Sequence, residues 1–240
     1  MLLAALAVAA GTALQSATGF GFSLIAAPLV FAAVEPAQAV GLMILLGTEV
    51  NALTLVGERR RPQPDLRESV AILAAALPGA VLGVAVLRAL DPVGLQFAVT
   101  AGVIGTLAAR RLAAGRHTPF WGAPIAGLFA GGLTTSTTTS GPPLIVYLLG
   151  RDLTPVQMRD TLPLIFLGLS VVGVTALLVT RTHGAVPTGE QIAILVPVVV
   201  AAHIAGRPLF RVLARSGSFD RIVTAVLVVS VVAGLLTAVL

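Results

Sequence analysis

The length of the apolar runs, and the way two of them break, constrains this chain most. Crossing about 30 Å of hydrocarbon takes roughly 20 helical residues. Six uninterrupted runs are long enough: 37–57, 69–89, 92–112, 161–181, 189–207 and 219–240. Two further runs are apolar but broken. One extends from Met1 to Val34 and is interrupted at Ser16-Ala-Thr-Gly-Phe-Gly21. The other extends from Phe120 to Gly150 and is interrupted at Thr134-Thr-Ser-Thr-Thr-Thr-Ser-Gly-Pro-Pro143. The arms of the first, about 13–15 residues each, would make roughly 20–22 Å of helix. That is too short to span a bilayer and long enough to reach its middle.

Composition agrees. Apolar residues are 57% of the 240, and charged residues 10%, against about 25% charged in a soluble domain. Mean hydropathy is +1.00. So few charges could not cover a soluble globule of this size, which excludes a cytosolic enzyme, a nucleic-acid-binding domain and a disordered chain. The net charge of +5 comes from 15 basic residues, all of them Arg. They sit between the apolar runs, where they set topology rather than bind nucleic acid. There is no Cys, so disulfides and thiolate metal sites are excluded. His117, His183 and His203 are too scattered for a metal site, and no cofactor is expected. The apolar N-terminus has no positive residue before it, so it reads as mature structure rather than a signal peptide.

The two halves resemble each other. Ser16-Ala-Thr-Gly19 aligns with Thr138-Thr-Ser-Gly141, Pro36-Ala-Gln38 with Pro155-Val-Gln157, and Gly79 to Gly83 with Ala202 to Gly206. The order of elements is the same, which indicates an internal repeat with its boundary near residues 115–118.

Arginine placement chooses the topology. If each broken run crossed the membrane once, Arg88, Arg151, Arg159, Arg207, Arg211, Arg215 and Arg221 would face one side and the other eight the opposite side. That near-even split violates the positive-inside expectation. If each broken run instead returns to its own side as a hairpin, only Arg88 and Arg181 lie outside and the other 13 lie inside. The expected fold is therefore an all-α polytopic membrane protein of two inverted repeats. Each repeat is a broken, re-entrant helical hairpin plus three transmembrane helices. The first repeat is 1–115, with hairpin 1–34 and spans 37–57, 69–89 and 92–112. The second is 116–240, with hairpin 120–150 and spans 161–181, 189–207 and 219–240. Both termini are expected in the periplasm of a bacterial inner membrane. Short pairs that cross twice would give the same arginine count.

Paired broken elements in inverted halves point to a transport site at the midplane. The second arm of each hairpin starts a helix there, and a helix start offers free N–H groups and a positive dipole end. The first tip supplies Gln15, Ser16, Thr18, Gly19, Phe20, Gly21 and Phe22; the second supplies Thr137, Thr138, Thr139, Ser140, Gly141 and Pro142. Hydroxyls add neutral donors, Ser23 among them, and no Arg or Lys falls at either tip. This chemistry suits a small oxyanion held without a fixed cation.

Two segments carry a family resemblance. Ser16-Ala-Thr-Gly-Phe-Gly-Phe-Ser-Leu-Ile-Ala-Ala-Pro-Leu29 and Ser140-Gly-Pro-Pro-Leu-Ile-Val-Tyr-Leu-Leu-Gly150 resemble the two signature segments of the TauE/SafE family of sulfite exporter-like permeases. The resemblance extends over nearly the whole chain. Phe20 and Phe22 stand where many members have a denser glycine run, a departure that bears on substrate more than on fold. The resemblance implies secondary transport of a small sulfur-containing anion such as sulfite, sulfoacetate or another organosulfonate, with proton coupling.

Glu49, mid-span, is the expected proton carrier, because an ionisable group inside a membrane is a functional hypothesis by default. Asn51, grouped with Glu49 and His203 as the proton-coupling set, aligns with Ser170, so both are expected to face the central cavity, and His203 is a candidate proton relay. Arg159-Asp160 reads as an interfacial pair and Arg59-Arg60-Arg61 as a topology anchor. The expected partners are the anion, a proton and the lipid bilayer, with Ala-Gly-rich spans compatible with a homodimer. A channel-like anion pathway is the alternative function. An intramembrane enzyme would need a nucleophile–base pair or a metal motif that the sequence lacks.

Overall fold

The computed structural model describes residues 1–57, 61–113, 117–182 and 184–215. The span expected at 219–240 lies outside them, as do Arg59, Arg60, Arg116, His183 and Arg221. Among the described residues there are nine helices and no strand. A short pair, α1 (Leu2–Thr18) and α2 (Phe22–Ala33), precedes three longer helices: α3 (Pro36–Val56), α4 (Leu66–Ala89) and α5 (Pro92–Ala113). A second short pair, α6 (Gly122–Ser136) and α7 (Gly141–Leu149), precedes α8 (Pro155–Val179) and α9 (Gly189–Arg215).

Local chemistry fixes these boundaries. Gly19 closes α1 at φ 82° and Gly21 opens α2 at φ 107°, a left-handed conformation that glycine adopts without a Cβ clash. Proline takes the first position of α3 and of α8, where its missing N–H has no helical partner to lose. Asp65 caps α4 by accepting from Glu68 N at 3.0 Å. Thr154 and Gln157 cap each other at the start of α8, and Thr188 and Gln191 do the same for α9. Such caps satisfy helix-end N–H groups that have no partner within the helix.

Helices α3 and α4, together with Asp160–Val179 and Gly189–Arg207, are long and apolar enough to cross a membrane. The short pairs are not: the 9 residues of α7 make only about 14 Å of helix. The second pair starts and ends at one place, because Thr118 N donates to Gly150 O at 2.8 Å. Val70, Leu82, Phe129, Val171 and Leu178 are each more than half exposed. Apolar side chains presented outward on long apolar helices are what a lipid-facing surface requires, and the chain is a multi-pass membrane protein.

Glycine brings α4 against α6. A Cβ at Gly79 would strike Leu128 O, one at Gly83 Gly132 O, one at Gly127 Ile72 O and one at Gly131 Ala76 O. This is the close backbone approach by which small residues join helices in membranes. Gly206 plays the matching part in α9, pressing on the backbone of Ala13 in α1. Exchanging the halves carries α4 on α6 onto α9 on α1, and α4 on α8 onto α9 on α3, while α3 on α8 maps onto itself.

The loops follow the same rule. Gln63 N donates to Asp160 Oδ2 at 2.7 Å and Asp65 N to Thr161 Oγ1 at 2.9 Å, so the segment before α4 docks on the start of α8. The segment before α9 docks on the start of α3: Gln191 Nε2 donates to Gln38 Oε1 at 3.1 Å, and Ala185 packs against Gly41. Arg88 at the end of α4 donates to Thr180 O and to Thr182 Oγ1.

Candidate functional site

The two broken hairpins meet at one cavity of about 50 Å³, room for a small ion or a few waters. Gln15, Gly21, Phe22 and Ser23 line it from the first hairpin, and Thr134, Thr138 and Ser140 from the second. Met43, Ile44, Gly47 and Asn51 of α3 and Phe166, Leu169 and Ser170 of α8 close the remaining walls. Lining residues on α3 at 43, 47 and 51 recur four apart, with 44 three before 47, the spacing of one helix face.

Side-chain amides hold the first tip in place. Gln15 Nε2 donates to Asn51 Oδ1 at 2.6 Å, Gln15 Oε1 accepts from Phe22 N at 3.0 Å, and Asn51 Nδ2 donates to Gly47 O at 2.6 Å. Gln15 thus takes up the first N–H of α2 and ties the tip to α3. Neither N-cap residue, Gly21 of α2 or Ser140 of α7, makes a side-chain cap of its own. At α7 the second and third positions are Pro142 and Pro143, which have no N–H. That start therefore offers fewer backbone donors than the sequence expectation of an open amide cluster.

The hydroxyls of the second tip divide by position. Thr138 and Ser140 line the cavity. Thr137 and Thr139 bond to each other at 2.7 Å, and Thr139 packs against Gly102 of α5. Thr138 is left-handed at φ 58°, an outlier for a β-branched residue. Its Oγ1 is buried and has no hydrogen-bond partner among the described residues.

The remaining predicted residues lie elsewhere. Ser16 donates to Thr12 O at 2.8 Å, and its oxygen lies 2.7 Å from His203 Nδ1. Because the one hydroxyl hydrogen goes to the carbonyl, the imidazole donates from Nδ1. His203 is buried against the start of the tip, outside the cavity lining. Gly19 and Gly141 shape the turns, and Phe20 packs against the core of α4, α6, α7 and α8. The side chain of Thr18 lies outside the described placements. Glu49 is two residues from both Gly47 and Asn51, about 200° around α3, and is not in the lining. One of its carboxylate oxygens is buried without a described partner.

Sequence reasoning missed a polar cluster at the open end of the second hairpin. Glu68, buried at the start of α4, pairs with Arg151 at 2.8 Å and accepts from Tyr147 Oη at 2.5 Å. Arg151 also donates to Thr118 O at 2.8 Å. Arg67 stacks 4.3 Å from the Phe120 ring centre. These partners lie far apart in the chain, so no local spacing announces them.

The family described as "Sulfite exporter TauE/SafE" matches residues 3–234. A protein of Cupriavidus necator described as a probable sulfite/organosulfonate exporter TauE is 32% identical over 212 residues, covering 82% of this chain and 79% of its own. No solved structure matches.

Proposed function

The chain belongs to the TauE/SafE sulfite exporter family, and on that footing we propose that it is a secondary transporter. Its substrate is a small sulfur-containing anion such as sulfite, sulfoacetate or another organosulfonate, bound where the two hairpins meet. One observation carries this reading. A cavity lined by both broken hairpins contains a buried hydroxyl, Thr138 Oγ1, with no described partner. A buried donor left unpaired costs about 1–3 kcal/mol, which a bound acceptor would recover.

The proposed architecture is a pair of inverted repeats, 1–115 and 116–240, in the bacterial inner membrane, with periplasmic termini and both hairpins re-entrant. The contacts support it. Glu68 with Arg151, Gln63 with Asp160, and Arg88 with Thr180 each join positions that the re-entrant arrangement puts on one side. An arrangement in which each broken run crosses once puts the members of each pair on opposite sides. Alternating access would then be movement of one half against the other around the cavity.

Proton coupling is assigned to Glu49, with His203 as relay beside the first tip. Glu49 lies off the cavity, so its proton would act through the position of α3 and Asn51 rather than by touching the anion.

The test is uptake into proteoliposomes of sulfite, thiosulfate, sulfate and sulfoacetate, with and without a pH gradient. Uptake of sulfite or sulfoacetate that Thr138→Val and Ser140→Ala weaken supports the reading. Wild-type affinities in both variants would move the site elsewhere. Flux at very high turnover that ignores the pH gradient would favour a channel.

A further inference from the structure

The charge and hydrogen-bond inventory of the cavity narrows the substrate beyond its elemental class; this step rests on the cavity being the anion site. Among the described residues, none that lines the cavity is Arg, Lys or His. The positive field comes from the starts of α2 and α7, which reach the cavity at Gly21 and Ser140. A helix start carries at most roughly half an elementary charge, less at α7 where Pro142 and Pro143 bring no N–H. The two together offset no more than about one negative charge and leave a second one unbalanced at low dielectric.

The hydroxyls add a second, independent constraint. Thr134 Oγ1 donates to Ala130 O at 2.7 Å and Ser170 Oγ donates to Phe166 O at 3.0 Å. A carbonyl only accepts, so both hydroxyl hydrogens are committed, and each oxygen has only lone pairs left to offer a ligand. Thr138 keeps its hydrogen free, buried and unpaired. The lining therefore offers donors and acceptors together. A bare oxyanion satisfies the donors and is repelled by the acceptors, whereas an anion with its own O–H satisfies both.

We propose that the cavity selects a singly charged oxyanion carrying a proton: hydrogen sulfite ahead of an alkyl sulfonate, and both ahead of the sulfite dianion and sulfate. Among the described side chains, the titratable and charged groups on α3, α7, α8 and α9 are Glu49 on α3, Glu190, His203 and Arg207 on α9, Tyr147 at the far end of α7 and Asp160 on α8. None of them lines the cavity.

The experiment is calorimetric binding to the full chain in lipid nanodiscs, with sulfite, methanesulfonate and sulfate, across the ionisation of hydrogen sulfite. Methanesulfonate is a monoanion at every pH used, so its affinity reports titration of the protein. Relative to it, sulfite affinity should fall about tenfold per pH unit once hydrogen sulfite ionises, and sulfate should bind weakest. Ser170→Ala removes an acceptor and should weaken hydrogen sulfite several-fold while methanesulfonate, relieved of that acceptor's repulsion, binds more tightly. Thr138→Val should weaken both. Sulfite affinity that holds or rises with pH, or sulfate binding as tight as sulfite, overturns the proposal and leaves the anion site standing. Absence of binding by all three anions overturns the site itself. The wild-type pH series decides the matter even if a variant fails to fold.

Discussion

Gln15 and Asn51 lock the first hairpin tip to α3: the Gln15 amide donates to Asn51 Oδ1 at 2.6 Å while its own oxygen holds Phe22 N. Gln15→Leu strands both partners in a buried setting and should destabilise by about 1–3 kcal/mol for each stranded group. Gln15→Glu keeps the acceptor for Phe22 N, gives up the donation to Asn51 Oδ1 and places a negative charge on the cavity wall. It should fold and bind anions far more weakly, by tenfold or more for about 1.4 kcal/mol of repulsion. Calorimetry separates the two outcomes. Wild-type anion affinity in Gln15→Glu would show that the anion does not enter this cavity.

Glu68 is buried and meets Arg151 and Tyr147 at the open end of the second hairpin. Removing one member of a buried ion pair leaves a charge without compensation and costs about 3–5 kcal/mol. The Arg151 side chain is 20% exposed, which puts Arg151→Met at the lower end of that range. The double variant Glu68→Leu, Arg151→Met should recover much of the loss, because no unpaired charge remains. Thermal unfolding in nanodiscs measures both. A double variant that is no more stable than Arg151→Met alone would contradict this.

Much of this architecture was legible from spacing. Pro36 and Pro155 mark helix starts and Gly19 and Gly21 mark the break, because each limits the backbone locally. The cavity was legible only in part. The repeat alignment pairs Asn51 with Ser170, and both line the wall. Helical period alone separates Glu49 from Asn51, since residues two apart lie on opposite faces. The division of Thr137 and Thr139 from Thr138 and Ser140 depends on the left-handed turn at Thr138, which nothing in a run of Thr residues signals. The Glu68–Arg151 pair joins residues 83 apart and depends on the docking of α4 against the second hairpin, a tertiary fact.

The glycines between α4 and α6 give a packing prediction with an internal control. A Cβ at Gly131 would collide with Ala76 O, whereas nothing described lies within 4 Å of one at Gly105. Gly131→Ala should therefore force the helices apart and cost about 1–3 kcal/mol. Gly105→Ala should be neutral, or stabilise by up to about 1 kcal/mol through helix propensity. Equal melting temperatures for the two variants would show that the α4–α6 contact is looser than drawn.

The chain has no Cys, so single cysteines can be placed without a background. In the proposed topology, Glu35→Cys, Asp91→Cys and Gly184→Cys face the periplasm, and Gln63→Cys and Asp152→Cys face the cytoplasm. A membrane-impermeant maleimide added to right-side-out vesicles should label the first three and spare the other two. Labelling of Asp152→Cys together with Glu35→Cys would mean that the second broken run crosses the bilayer.

Thr138 offers the sharpest separation of stability from function. Its φ of 58° is unfavourable for a β-branched residue, at a cost on the order of 1–3 kcal/mol. Thr138→Gly relieves that strain, offset by about 0.5–1 kcal/mol of added chain entropy in the unfolded state. It also removes the buried hydroxyl with no described partner. The variant should unfold at the wild-type temperature or higher and bind the anion several-fold more weakly. A turn strained only for packing would behave differently: relieving it would leave binding untouched. Unfolding temperature and anion affinity, measured on one preparation, decide between the two. An affinity equal to wild type would remove Thr138 from the site.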